Sequence, residues 1–129
     1  MADLIENALS LLSSTAIADL SGETQTTLYT VPAGKKLILD KAYLEVAADV
    51  GAALVVTIGQ NGAVTDFVGT TNGDNLDADE DCILMAPVPS ATPAKQKIYA
   101  ATTVIELDVA TAGNAVAGVL HLFGFLIDV

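Results

Sequence analysis

The stretch LYTVPAGKK, residues 28–36, decides how the chain is organised. In residues 28–31 the side chains of Leu28 and Thr30 alternate with those of Tyr29 and Val31, as suits a pleated strand. Pro32 fixes φ and removes a backbone donor, and Gly34 supplies a torsion that few other residues tolerate. The stretch therefore predicts a short strand, a tight turn at residues 32–34, and a longer strand that starts at the two lysines. Its chemistry is structural rather than catalytic.

Short apolar runs separated by turns continue along the chain. Asn61-Gly62 is the strongest hairpin turn signal, and the parity of the apolar alternation changes at Asp40-Lys41. A β-bulge there would re-aim the strand; the alternative is that both faces of the strand are covered. Roughly eight or nine short strands without a long helix predict an all-β fold, a jelly-roll-like β-sandwich. The predicted core residues are Leu37, Leu39, Leu44, Val46, Leu54, Val56, Ile58, Ile83, Ile105, Leu107, Leu122 and Leu126.

The two ends of the chain carry apolar residues that this core does not need. Residues 1–14 have apolar positions in helical spacing and are predicted to form a short N-terminal arm or helix, ahead of a single β-sandwich domain over residues 15–129. A helix of about three turns is marginal in water, so we expect the arm to dock on something, such as another subunit. Residues 116–129 are apolar at both parities. We expect a central strand there, with its second face against another subunit or the arm.

Composition restricts the partners and the compartment. The net charge is -11 and there are only five basic residues, which argues against nucleic-acid binding because phosphate neutralisation needs clustered Lys or Arg. No run reaches the roughly 18 apolar residues of a membrane span. Asp3 and Glu6 stand where a signal peptide needs positive charge, so we expect cytoplasmic folding. The single Cys82 cannot form an internal disulfide and is predicted to be buried.

No constellation of residues predicts catalysis, a cofactor, a metal or a small-molecule substrate. The acidic residues of segment 74–81 favour a solvated loop over a calcium site, because the glycine and glutamate of an EF-hand are missing. His121 has no neighbouring Cys or second His, and no Ser-His-Asp arrangement is evident. No glycine-rich loop opens a helix that could hold a phosphate. We therefore expect a protein that is not an enzyme.

Residues 28–36, with the apolar run 37–39 and the strand half 42–46, resemble the opening hairpin of small β-sandwich virion proteins of tailed bacteriophages, especially head-decoration (cement) proteins. The resemblance covers roughly a quarter of the chain. It implies a structural virion protein that decorates and stabilises the outside of a phage capsid by bridging capsid subunits. It also implies the major capsid protein as partner, a homotrimer, and a location on the capsid surface after synthesis in the host bacterial cytoplasm.

The N-terminal arm is the expected docking element, because an apolar arm that cannot fold alone must pack on a partner. The rival hypothesis is a tail- or fibre-associated module for host attachment or carbohydrate binding. Sugar rings usually stack on exposed Trp or Tyr, and the chain has no Trp and three Tyr, which speaks against it. The residues predicted to contact the capsid or another subunit are Leu4, Ile5, Leu9, Leu11 and Leu12.

Overall fold

A computed structural model describes residues 9–87 and 97–129. Within these ranges the chain forms nine β-strands and no helix, as the period-two alternation predicts. The all-β prediction is confirmed. The strands are β1 (Ser10–Ile17), β2 (Gln25–Thr30), β3 (Lys35–Val46), β4 (Val55–Gln60), β5 (Ala63–Asn72), β6 (Cys82–Met85), β7 (Ile98–Tyr99), β8 (Val104–Thr111) and β9 (Gly118–Asp128).

Two antiparallel sheets form a sandwich. The five-stranded sheet has the order β1-β9-β3-β6, with the short β7 on the same edge of β3 as β6, and the four-stranded sheet has the order β2-β8-β4-β5. The pairs β1·β9, β2·β8, β3·β6 and β4·β5 are nested along the chain, so the fold is one long hairpin rolled so that successive pairs alternate between the sheets. This topology is a jelly roll, and the prediction of a jelly-roll-like β-sandwich is confirmed.

The turn at Pro32–Gly34 forms as predicted, but it does not make a hairpin. The Lys35 N–H donates to the Pro32 carbonyl over 3.2 Å, and Gly34 has a φ of 77°. The strands on either side of it belong to different sheets. The hairpin implied by the resemblance is therefore wrong, because the turn carries the chain across the sandwich.

Two other local predictions are confirmed. Asn61-Gly62 closes the β4–β5 hairpin, with Gly62 at a φ of 85° and Gln60 paired with Ala63. The ladder between β3 and β9 shifts register between Leu39 and Lys41, which is the β-bulge predicted from the change of parity.

The core lies between the two sheets and has the predicted composition. Ten of the twelve predicted residues are buried, while Ile83 and Leu126 are partly buried and pack against the rest. β9 lies between β1 and β3, so the predicted central position of the C-terminal strand is confirmed.

Two sequence-based predictions are wrong. The predicted arm is wrong over residues 10–14, which lie in β1, with Leu12 packed against the core as the strand alternates. Residues 1–8 lie outside the described residues. Cys82 is exposed rather than buried, because β6 pairs on one side only and Cys82 points away from the core. No helix that could cross a membrane occurs in the described part of the chain.

Candidate interface on the outer face of the five-stranded sheet

The side of the five-stranded sheet that points away from the core is rich in apolar residues. In β9 the buried Leu120 and Leu122 alternate with residues that point outwards, and β3 follows the same rule on each side of its bulge. We call this surface the outer face. Its apolar residues are Leu11, Ile38, Tyr43, Leu84, Ile98, Val119, Phe123, Phe125 and Ile127.

Side chains from neighbouring strands form continuous rows across the outer face. Phe123 of β9 is paired with Leu11 of β1, and Phe125 is paired with Ile38, which is paired in turn with Ile98 of β7. Leu11, Leu84 and Ile98 are 53%, 56% and 53% exposed. Cross-strand neighbours of this kind make one contiguous apolar surface rather than scattered exposed residues.

The four-stranded sheet has a different outer side. Thr27 of β2, which is exposed, pairs with Glu106 of β8, and Asp108, which is half-buried, pairs with Thr57 of β4; Glu106 and Thr57 are themselves buried. The large exposed hydrophobic residues of the described ranges all belong to β1, β6, β7, β9 or the residues next to them: Leu9, Leu11, Leu84, Ile98 and Val129. The sandwich is therefore polar on one side and apolar on the other.

A lysine lies at the centre of the outer face. Lys41 follows the β3 bulge, and its Nζ is 5.7 Å from the ring centroids of both Tyr43 and Phe123. The two rings meet edge to face, with their centroids 5.9 Å apart. An exposed cation–π contact is worth about 0.5–1 kcal/mol, so the rings hold this charge in place on an otherwise apolar surface.

Charge changes sign along β3. Lys36 lies near one end of the outer face beside Ile127, and Glu45 lies near the other end beside Val119. At the Glu45 end an open cavity of about 250 Å³ is also lined by Asp79 and Glu80. The outer face is thus basic towards the start of β3 and acidic towards its end.

Ser14, His121 and Glu45 are joined on the same face, a grouping that the sequence analysis missed. Ser14 Oγ is 2.7 Å from His121 Nδ1, and His121 Nε2 is 3.2 Å from Glu45 Oε1. The order of groups is that of a hydrolytic triad, but Ser14 lies within the β1·β9 ladder. Acyl transfer also needs donors around the oxygen of the attacked carbonyl and a pocket for the substrate. The contacts join three neighbouring strands and support a structural role.

The acidic loop, residues 74–81, uses its carboxylates locally. Asp81 Oδ2 accepts the N–H groups of Asp77 and Ala78 at 3.0 and 2.9 Å, and Asp74 Oδ2 accepts from the Asn72 side chain. Over residues 9–87 and 97–129, no three or more His, Cys, Asp or Glu side chains converge as metal ligands would. The loop is an acidic surface feature in this arrangement.

The predicted contact residues are distributed unevenly. Leu4 and Ile5 lie outside the described residues. Leu9 is 45% exposed, Leu11 is part of the outer face, and Leu12 packs against the core. For the rest of the outer face, the one indication in the sequence was the C-terminal strand, which is apolar on both of its faces. Leu84 and Ile98 lie in strands that are too short to show a pattern of alternation.

The fold resembles chains found in phage capsids. The sequence matches no protein-family model, and a search of curated proteins found no match. A chain in the acidic stable capsid structure of Helicobacter pylori bacteriophage KHP30 superposes with a TM-score of 0.62 at 20% identity, over 96% of this chain and 94% of that one. A chain in the capsid asymmetric unit of cyanophage Pam1 superposes with a TM-score of 0.58 at 12% identity, over 98% of this chain and 90% of that one. This jelly roll is therefore a fold that occurs in phage capsids.

Proposed function

We propose that the chain is a structural, non-enzymatic virion protein of a tailed bacteriophage, and that it decorates the outside of the capsid. The observation that carries the proposal is the likeness to two phage capsid chains over nearly the whole length of each. Such coverage means that the matched chains are close in length to this one, so the likeness extends over both sheets of the sandwich. A structural protein also needs a surface that it can bury against a partner, and the apolar outer face provides one.

The proposed mechanism is cementing. A protein that touches several shell subunits at once makes its contacts act together, because each contact raises the effective concentration for the next. Binding to the assembled shell and not to its separated subunits stabilises the shell by mass action. The decorated capsid then resists the pressure of packed DNA. The major capsid protein is the proposed partner, and the capsid surface is the proposed location after synthesis in the host cytoplasm.

The proposed contacts include the N-terminal residues predicted from sequence. Leu12 packs against the core and fixes the start of β1 to the sandwich. Leu9 is exposed and available to the capsid, whereas the exposed Leu11 belongs to the outer face and is a contact for another subunit. We include Leu4 and Ile5 in the capsid contact, with Leu12 as its anchor within the domain.

We also propose that the protein self-associates as a homotrimer. Each copy carries a charge of -11, which opposes association, but charges farther apart than about 8 Å are screened at physiological salt. Burial of apolar area contributes roughly 25 cal/mol per Å², which outweighs screened repulsion once several hundred Å² are covered. Light scattering tests this part: the trimer has three times the 13.2 kDa mass of one chain, and a single-chain mass at both low and high salt would contradict it.

Co-sedimentation with purified capsids of the source phage tests capsid binding. The wild-type protein should pellet with capsids, and deletion of residues 1–9, which spares β1, should reduce the bound fraction about tenfold or more, as expected when one of several linked contacts is lost. Thr70→Ser, an exposed change on the four-stranded sheet, is the matched control and should bind normally. Failure of the wild-type protein to pellet would refute the decoration role, while normal binding of the deletion would refute only the N-terminal contact.

A further inference from the structure

We propose that a second copy of this chain covers the outer face, and that the lysine-bearing apolar surface of one copy contacts the acidic loop of the next. This inference rests on the proposed self-association and assigns the surfaces that carry it. The occupant follows from three properties of the outer face: its apolar character, its size and its charge.

The apolar character favours a cover that is present from synthesis. A contiguous apolar patch on a free protein promotes aggregation. Capsid subunits can cover such a patch only after a shell has assembled, whereas a second copy is available as soon as the chain is made. The outer side of the four-stranded sheet has no such need, because the exposed Thr27 and the half-buried Asp108 lie on it.

The size of the outer face suits part of a specific interface. Four strand positions about 4.8 Å apart and about six residues along each strand give a sheet area of about 400 Å². A standard interface buries about 800 Å² on each partner. The outer face alone therefore supplies about half of what one copy needs, and a second surface of a different kind has to supply the rest.

The charge identifies that second surface. Lys36 and Lys41 give positive charge to the part of the outer face away from Glu45, in a chain whose net charge is -11. The acidic loop has carboxylates at Asp74, Asp77, Asp79, Glu80 and Asp81, and all but the last are exposed. Lysines on one copy and carboxylates on the next form a complementary contact, which sets the register of association.

A contact between two different surfaces has a consequence for symmetry. Each copy offers its outer face to one neighbour and its acidic loop to another, so the contact is heterologous. Heterologous contacts close into rings when the rotation allows it, and a ring of three is the homotrimer proposed above. The two surfaces are adjacent in each copy, since Asp79 and Glu80 line the cavity that Glu45 borders.

Charge reversal tests the contact by light scattering and sedimentation velocity. Lys41→Glu should raise the dissociation constant of the oligomer about tenfold or more, and adding Asp79→Lys and Glu80→Lys should restore most of the affinity. The matched control, Thr30→Glu with Thr70→Glu, also changes the net charge by two units, but on the four-stranded sheet, and should leave the oligomer intact. Leu84→Glu tests the apolar part and should give monomers with the far-ultraviolet circular dichroism of the wild type.

The single cysteine provides an independent readout. Cys82 lies on the outer face beside Leu84 and is the only thiol of the chain. Maleimide labelling of the wild-type oligomer should be at least about tenfold slower than labelling of the Leu84→Glu monomer. Equal labelling rates would overturn the inference.

The remaining outcomes separate this inference from the proposed function. Oligomers that persist in Lys41→Glu and Leu84→Glu would overturn the assigned surfaces and leave self-association standing. Loss of capsid binding in Leu84→Glu with an intact oligomer would show that the shell covers the outer face, which overturns the inference and supports decoration. A monomeric wild-type protein that still pellets with capsids would overturn the inference and the trimer together, but not the decoration role.

Discussion

Tyr99 and Asp66 form a hydrogen bond that connects the two sheets. The Tyr99 hydroxyl, on β7 of the five-stranded sheet, donates to Asp66 Oδ1 of β5 over 2.8 Å, and the Tyr99 residue is 2% exposed. Asp66 also accepts the Gln60 N–H at 3.1 Å and the Lys97 ammonium at 2.7 Å. One carboxylate therefore joins β4, β5 and β7. The short β7 owes its position to this bond as well as to its pairing with β3.

Tyr99→Phe is expected to lower the free energy of unfolding by about 2 kcal/mol, because a hydrogen bond to a charged group is lost from a largely buried site. Urea denaturation at neutral pH measures the change. Tyr43→Phe is the matched control: its ring lies on the outer face, and its removal of a hydroxyl should change stability by less than about 0.5 kcal/mol. Equal effects of the two substitutions would show that the Asp66 bond contributes nothing.

Alkaline pH should weaken the same link. Burial, with help from the Asp66 hydrogen bond and charge, raises the pKa of Tyr99 well above its ordinary value of 10.0. A group whose folded pKa is raised stabilises the fold fully below its unfolded pKa and loses that contribution as pH rises above it. The wild-type protein should therefore lose more unfolding free energy between pH 9 and pH 11 than Tyr99→Phe does. Parallel losses in the two proteins would contradict this assignment.

Two glycines of the four-stranded sheet should respond differently to Ala. A Cβ on Gly59 would lie 2.2 Å from the Ala63 carbonyl oxygen, because β5 bulges over it, whereas a Cβ on Gly69 would meet nothing within 4 Å. Gly59→Ala should destabilise the fold by about 3 kcal/mol or more, since backbone has to move. Gly69→Ala should be neutral within about 0.5 kcal/mol. Thermal unfolding of both variants decides, and similar midpoints would mean that the bulge yields easily.

The Ser14–His121–Glu45 grouping should have no hydrolytic activity. Wild type and Ser14→Ala are expected to hydrolyse p-nitrophenyl acetate at the same rate, because a serine within a strand ladder does not by itself provide the oxyanion donors that acyl transfer needs. His121→Ala should instead lower stability by about 1 kcal/mol through loss of two cross-strand hydrogen bonds. A clear drop in hydrolysis rate in Ser14→Ala alone would give the grouping a catalytic role.

Local chemistry explains which features could be predicted from the sequence. Pro32 fixes φ at its own position, and Gly34 and Gly62 permit the positive φ that their turns need, so both turns could be predicted. The change of parity at Asp40-Lys41 marked the bulge. The core residues could be predicted because apolar residues at every second position lie on one face of a strand.

The features that could not be predicted from the sequence depend on which strands pair. A tight turn does not reveal whether β2 and β3 share a sheet, and here they do not. Ser14, Glu45 and His121 meet only because β1, β9 and β3 are neighbours, although the residues are far apart in sequence. Cys82 is exposed because β6 is at an edge, which depends on the whole topology.

Immunogold electron microscopy of virions from the source phage, with antibody raised against the purified chain, tests the central claim most directly. Decoration of the capsid predicts gold particles over the surface of intact heads and none on the tails, and heads stripped of the protein should lose the label. Gold confined to the tail tip would contradict the account and favour the attachment module, and virions without gold would contradict a place in the particle.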